Sequence, residues 1–225
     1  MFRNRRDAGV RLAELLGDYT RQDAIIYGLV RGGVPVAYEI ALRLEKPLEA
    51  FIVRKIGLPG EEELALGAVA EGREFSLYLN DGLMKRTGYN KDDLKPLIES
   101  KLAEIHKMQL FYRAGENMLL KPSATAILVD DGVATGATLK AAILSLRTMG
   151  QGRIVVASPA GQTSILEEIH ATVEDVICAQ PVQYMEAVGE FYYDFREISH
   201  DDVRSLIYKA KHSLKGTMGN RPNKR

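Results

Sequence analysis

The sequence contains a single cysteine and no long apolar run. Cys178 has no second cysteine to pair with, so an internal disulfide bond is excluded, and its apolar neighbours predict a buried, unreactive thiol. No segment approaches the roughly 18 consecutive apolar residues of a membrane span. The first twenty residues carry charged side chains where a signal peptide would be apolar. These absences predict a cytoplasmic protein with no membrane partner.

An excess of charge of one sign is also missing. The 225 residues include 30 lysines and arginines, which balance 30 aspartates and glutamates. A dedicated nucleic-acid-binding protein would show a basic surplus, so nucleic acid is not an expected partner. The four histidines lack the spacing of metal ligands, which argues against a histidine-based metal site.

The most informative stretch is residues 124–141. An apolar run over residues 124–129 suits a central parallel strand, because it is apolar on both faces. The run ends on two adjacent carboxylates, Asp130 and Asp131, and then turns through glycines into a helical pattern over residues 139–149. The charged end of a buried strand predicts a functional site.

The residues after Asp131 have the composition of a phosphate-binding turn. Gly132 and Gly136 approach a predicted helix start, and Thr135 and Thr138 add hydroxyl groups. Such a helix start offers backbone N–H groups and partial positive charge to a phosphate. Carboxylates repel phosphate, so the aspartates are expected to bind hydroxyl groups or Mg²⁺ instead. An ordinary strand–helix turn with capping threonines is the alternative interpretation.

Two further turns carry cations or paired glycines. A predicted strand over residues 24–29 leads into Arg31, Gly32 and Gly33 before a second helical pattern. A predicted strand over residues 48–53 leads into Arg54 and Lys55. In an open parallel sheet all three turns would meet at one edge, where the cations could neutralise a pyrophosphate. The alternatives are glycines needed only for shape and a solvated pair of cations.

The order of predicted elements indicates an α/β fold with a doubly wound, mainly parallel sheet. A hairpin and a long helix form an expected insertion at about residues 57–122. Aromatic residues crowd the segment after Pro181, which predicts a small C-terminal hood at about residues 181–208. Residues 1–208 would then form one domain, and the basic segment over residues 209–225 is expected to be disordered.

The first of these turns, a hydrophobic strand followed by two acids, a short loop and Thr-Gly-x-Thr, resembles the phosphoribosyl-pyrophosphate motif of type I phosphoribosyltransferases. Arg-Gly-Gly after the first strand resembles the pyrophosphate loop of the same family, and Arg-Lys-x-Gly-x-Pro resembles a segment of its adenine-specific members. The resemblance covers residues 24–179 and implies transfer of a phosphoribosyl group from phosphoribosyl pyrophosphate to a nitrogenous base, with Mg²⁺ as cofactor. It also suggests a homodimer and a mobile lid over the site.

Carried over by motif, the resemblance implies a role for each site residue. The implied catalytic residues are Asp130, Asp131, Arg54 and Lys55. Those implied to bind the sugar phosphate and pyrophosphate are Arg31, Gly32, Gly33, Gly132, Val133, Ala134, Thr135, Gly136, Ala137 and Thr138. The hood candidates for the base are Tyr184, Phe191 and Asp194. The metal candidates are Asp130 and Asp131, acting through ribose hydroxyl groups or water, and Asp194.

The sequence leaves the acceptor and the activity open. Family members that act on 6-oxopurines have a third acidic residue where this chain has Ala134. This difference argues against a 6-oxopurine as the acceptor base. A protein that binds phosphoribosyl pyrophosphate or a nucleotide for regulation, with little catalysis, is the main alternative to a transferase. A phosphoesterase would also fit paired aspartates, but the sequence shows neither a nucleophile nor a ligand-rich metal cluster for one.

Overall fold

A five-stranded parallel sheet forms the centre of the computed structural model, which describes residues 1–218 apart from the side chains of residues 62–63 and 214–218. Its strands stand in the order β2-β1-β6-β7-β8. They are β1 (Ala24–Leu29), β2 (Leu48–Phe51), β6 (Thr125–Val129), β7 (Arg153–Gln162) and β8 (Asp175–Val182). The predicted α/β class and the mainly parallel sheet are confirmed.

The strands β1 and β6 lie side by side, and every residue of both is buried. Their continuous apolar sequences fit this position, because helices cover both faces of the sheet. From β1 the chain moves outward to β2 and later returns to β6, so the strand order reverses between β1 and β6. In open α/β sheets this reversal opens a crevice at the carboxyl ends of the strands, where ligands bind.

Helices pack on both faces of the sheet, as expected for a doubly wound fold. One face is covered by α1 (Arg5–Leu15), α2 (Gly33–Leu44) and α7 (His200–Met218). The other face is covered by α5 (Ala137–Thr148) and α6 (Thr163–His170). No helix in the described part of the chain is both long and apolar enough to cross a membrane.

The insertion is a second sheet followed by two helices. Its antiparallel strands are β3 (Val53–Leu58), β4 (Glu61–Ala70) and β5 (Ser76–Leu79), and the helices are α3 (Asp81–Thr87) and α4 (Lys95–Arg113). The predicted hairpin and long helix are present. The single strand predicted over residues 48–53 is wrong, because the Ile52 backbone exchanges two hydrogen bonds with Glu71, which ends β2 and starts β3.

The C-terminal helix corrects the prediction of disorder from residue 209. It continues to Met218, and residues 219–225 lie outside the described part of the chain. Ser199 and Asp202 exchange side-chain and backbone hydrogen bonds at its start, which forms a capping box. Val203 and Ala210 are buried against the body of the protein, so packing holds a helix that composition alone did not indicate.

A buried ion pair joins the insertion to the central sheet. The carboxylate of Glu71, which is 1% exposed, accepts hydrogen bonds of 2.6 and 2.7 Å from the two terminal nitrogens of Arg113. Arg113 also lies 3.7 Å from Glu49 on β2. Burial raises the pKa of Glu49 to about 7, although the Arg113 charge opposes the shift. Glu49 therefore titrates near neutral pH in the folded protein.

We expect the free energy of unfolding to fall as the pH rises from about 4.5 to about 7. The folded state retains the Glu49 proton in this range and the unfolded state has lost it, so deprotonation favours unfolding. Glu49→Gln should remove this slope and exceed the wild type by about 3 kcal/mol above pH 7, with no gain near pH 4. Urea denaturation at four pH values measures this.

The matched control is Glu14→Gln, on the exposed face of α1. It should leave the pH dependence of stability as in the wild type. An unchanged slope in Glu49→Gln would show that Glu49 does not carry the proton.

Candidate active site

Two backbone turns touch at the carboxyl ends of β1 and β6. A side chain at Gly33 would overlap the carbonyl group of Val129, and one at Gly32 would overlap the carboxylate of Asp131. The backbone of the second turn therefore requires glycine at Gly33, whereas a side chain at Gly32 would displace the Asp131 carboxylate. The structure brings together the Arg-Gly-Gly turn and the acidic pair, as the sequence predicted.

The first carboxylate of the pair, Asp130, is half-buried at the wall of a cavity. It accepts a 3.0 Å hydrogen bond from the Asp131 backbone N–H and a 3.3 Å bond from the Thr138 hydroxyl. Burial raises the pKa of Asp130 well above its usual range, and the neighbouring charge of Asp131 adds to the shift. The raised pKa reflects the cost of placing a second negative charge beside Asp131.

The second carboxylate, Asp131, is held by residues that no motif indicated. The Nε of Arg5 lies 2.7 Å from its Oδ2, and the Tyr192 hydroxyl donates a 2.6 Å hydrogen bond to its backbone carbonyl. Arg5 comes from the start of α1. The charged N-terminal segment was the only signal, and it did not specify a partner 126 residues away.

Residues 132–138, here called the phosphate loop, line a cavity of about 170 Å³. The N–H groups of Ala134, Thr135 and Gly136 have no hydrogen-bond partner in the described part of the chain. Gly136 has a positive φ of 67° and precedes α5, whose buried first residue is Ala137. Val133 exchanges backbone hydrogen bonds with β7, which fixes the loop to the sheet. Unpaired N–H groups at a helix start suit an anion.

The predicted cations Arg54 and Lys55 occupy opposite faces of β3. Lys55 lines the cavity beside Asp130 and the phosphate loop. The Nε of Arg54 lies 3.0 Å from the Glu104 carboxylate on α4. The expectation that both stand at the end of a parallel strand is wrong, because they lie within β3, where successive side chains alternate between faces.

Arg31 follows β1 in the glycine turn, as predicted. Its Nη2 lies 2.8 Å from the Glu197 carboxylate. The cation therefore stands at the predicted edge of the sheet, but a carboxylate from the hood segment already pairs with it.

The hood has a different composition from the one predicted. Tyr184 is 72% exposed, and the carboxylate of Asp194 pairs with Arg196. Phe191 belongs to an apolar cluster in which Phe2 and Tyr192 are the large buried side chains. The hood is thus built from both ends of the chain.

The acidic pair is not a complete metal site. In the described part of the chain, no group of three or more His, Cys, Asp or Glu side chains is placed to hold a metal ion, so Asp194 does not join Asp130 and Asp131 in one. Two carboxylates nevertheless fit Mg²⁺, which proteins commonly bind with one or two carboxylates while substrate phosphates and water supply the remaining oxygens. Asp130 and Asp131 therefore fit a Mg²⁺ ion that binds together with a substrate.

Comparisons with known proteins show the family of the chain. The Phosphoribosyl transferase domain family matches residues 6–196. Two Mycobacterium tuberculosis proteins whose names contain the words phosphoribosyl transferase are 34% identical over 210 residues, which is 93% of this chain and 47% of theirs. The crystal structure of TT1426 from Thermus thermophilus is 36% identical with a TM-score of 0.76, over 92% of this chain and 98% of that one.

The chain therefore belongs to the phosphoribosyl transferase domain family, and the resemblance seen in the sequence is confirmed. It spans about half the length of the curated relatives that it matches.

We expect Gly33→Ala to disrupt the contact between the two turns. The added methyl group would overlap the backbone at Val129, which cannot move aside as a side chain can. The loss should be about 1–3 kcal/mol in the free energy of unfolding, as in other overpacked sites. Urea denaturation followed by circular dichroism measures the change. Gly17→Ala is the control, since no atom lies within 4 Å of its added methyl group. Equal stabilities of the two variants would contradict the assigned contact.

Proposed function

We propose that the protein transfers a phosphoribosyl group from phosphoribosyl pyrophosphate to a nitrogenous base and releases pyrophosphate. The cavity in which Lys55 and Asp130 face the phosphate loop is the observation that carries this proposal. An anion site, a carboxyl group and a cation in one small cavity match the three parts of the substrate, which are the 5′-phosphate, the ribose hydroxyl groups and the pyrophosphate.

In the proposed mechanism the unpaired N–H groups of the phosphate loop and the hydroxyl groups of Thr135 and Thr138 bind the 5′-phosphate. Asp130 and Asp131 accept hydrogen bonds from the ribose hydroxyl groups. Lys55 and Arg31 face the pyrophosphate and stabilise the negative charge that develops as it leaves. The reaction passes through an oxocarbenium-like state and depends on positioning and charge, with little acid–base chemistry from the protein.

A magnesium ion would be held by Asp130 and Asp131 through ribose hydroxyl groups or water. When bound, it would supply positive charge for the leaving pyrophosphate. The residues of the chain orient the sugar around it.

The hairpin between β3 and β4 is the element proposed to close over the site. It turns at Pro59 and Gly60, and its register shifts between Ile56 and Leu58. Lys55 lies on the same strand, so a change in the hairpin would be transmitted directly to the cavity. Closure would exclude water from the reactive sugar cation.

Regulation through ligand binding is the second candidate function. Arg31 and Arg54 are paired with Glu197 and Glu104, so two of the three cations predicted to face pyrophosphate have carboxylate partners. A protein that binds phosphoribosyl pyrophosphate without useful turnover would be consistent with these pairings. The acceptor base, a cytoplasmic location and a homodimer remain predictions.

We expect the wild-type protein to release pyrophosphate only when phosphoribosyl pyrophosphate, Mg²⁺ and an acceptor are all present. Asp130→Asn combined with Asp131→Asn should lower the rate by at least about 100-fold, because the ribose loses both carboxyl acceptors. A coupled pyrophosphate assay across a panel of purine and pyrimidine bases measures turnover. Calorimetry with phosphoribosyl pyrophosphate and Mg²⁺ measures binding.

The control variant is Asp23→Asn, whose side chain is exposed and pairs with Lys121 before β1, at the opposite edge of the sheet. It should retain the wild-type rate. Tight binding without turnover on any base would favour the regulatory function. Absence of both binding and turnover would exclude the two functions together.

A further inference from the structure

Arg5 is firmly fixed in the site although no motif indicated it. The residue is 8% exposed, and its Nε lies 2.7 Å from Asp131 Oδ2. Its Nη1 donates a 2.8 Å hydrogen bond to the Arg196 carbonyl, and its guanidinium lies 3.7 Å from the centre of the Phe195 ring. Three separate contacts therefore set the orientation of one side chain.

The segment that carries Arg5 is itself held by the hood. Residues 2–5, here called the N-terminal arm, run beside residues 191–194. Backbone hydrogen bonds join Phe2 to Phe191 and Tyr193, and Arg3 to Asp194. The Phe2 ring packs against Tyr192 with a centroid distance of 5.6 Å. Arg5 thus reaches Asp131 from a fixed backbone.

The charge of Asp131 is balanced without a metal ion, because its side chain is 15% exposed and paired with Arg5. Asp130 lies beside it and is half-buried. No third acidic, histidine or cysteine ligand joins them in the described residues. A divalent cation that approached the substrate-free pair would meet a guanidinium already bound to one of its two carboxylates.

We infer that Arg5 is a positioning residue that acts as the resident cation of the acidic pair. It neutralises and orients Asp131, leaving Oδ1 for a ribose hydroxyl group. A divalent ion consequently gains little from the substrate-free protein and enters the site together with the sugar phosphate, whose oxygens complete its coordination. The part of this inference that concerns the sugar rests on the proposed function, and the part that concerns the metal does not.

A purely structural role for the Arg5–Asp131 ion pair, fastening α1 to the sheet, predicts a different result. Loss of the pair would then lower the stability of the protein without changing its affinity for a metal ion. A positioning role instead predicts that loss of Arg5 exposes a carboxylate that binds a divalent ion. The binding of Mn²⁺ alone, measured by electron paramagnetic resonance on the full-length protein without substrate, separates the two cases.

We expect Arg5→Gln to bind Mn²⁺ at least about tenfold more tightly than the wild type, and Arg5→Lys to stay within about twofold because it keeps the charge. The gain should vanish in Arg5→Gln combined with Asp131→Asn. The matched control is Arg6→Gln, since Arg6 is the next residue of α1 but pairs with Glu39 away from the acidic pair. Its Mn²⁺ affinity should equal that of the wild type.

Asp131→Asn alone supplies a test that needs no change at Arg5. If Arg5 already neutralises Asp131, this variant should change Mn²⁺ affinity by less than about twofold. Loss of Mn²⁺ binding in Asp131→Asn, or an Arg5→Gln affinity equal to that of Arg6→Gln, would overturn the inference.

Calorimetry with phosphoribosyl pyrophosphate and Mg²⁺ tests the link to the sugar. Arg5→Gln should weaken binding about tenfold in the wild-type background and have little effect in the Asp131→Asn background. If the wild-type protein does not bind phosphoribosyl pyrophosphate, the proposed function fails, while the Mn²⁺ measurements still decide the role of Arg5.

Discussion

The contact between two backbone turns sets the geometry of the site. Gly32 and Gly33 allow the turn after β1 to touch the end of β6, with no space for a side chain between them. The contact places two adjacent carboxyl groups in a nearly closed edge of the sheet, where unpaired charge is costly. Burial raises the pKa of Asp130, and the Arg5 guanidinium pairs with Asp131. The N-terminal arm thus supplies the positive charge that accompanies the second carboxylate.

A second constraint decides which cation reaches the cavity. The Ile52 N–H donates to the Glu71 carboxylate, and the Ile52 carbonyl accepts from the Glu71 N–H. Because neither group pairs with β1, the chain leaves the parallel sheet after the four residues of β2. The buried Glu71 in turn requires Arg113 at the end of α4. Successive side chains of a strand point to opposite faces. In β3, Lys55 therefore points into the site and Arg54 points toward α4.

Local patterns were sufficient to predict the central strands, the phosphate loop and the glycine turn, because each is encoded in fewer than twenty consecutive residues. The break at Ile52 was not predictable in this way, since apolar residues continue through it and only the distant Glu71 ends the strand. Arg5 and Tyr192 were missed for the same reason. Helix α7 was predicted too short because a basic composition concealed the packing of Ala210.

Direct side-chain contacts connect the hood to the acidic pair. Arg5 and Tyr192 bind Asp131 from two sides, through its carboxylate and through its backbone carbonyl. Both are also fixed to Phe195, by a cation–π contact and by ring stacking at 5.0 Å. Movement of the hood therefore moves the groups that hold Asp131. Under the proposed function, a base that enters beneath the hood would change the position of the carboxylate proposed to bind the ribose, so acceptor binding and sugar binding would be coupled through these two side chains.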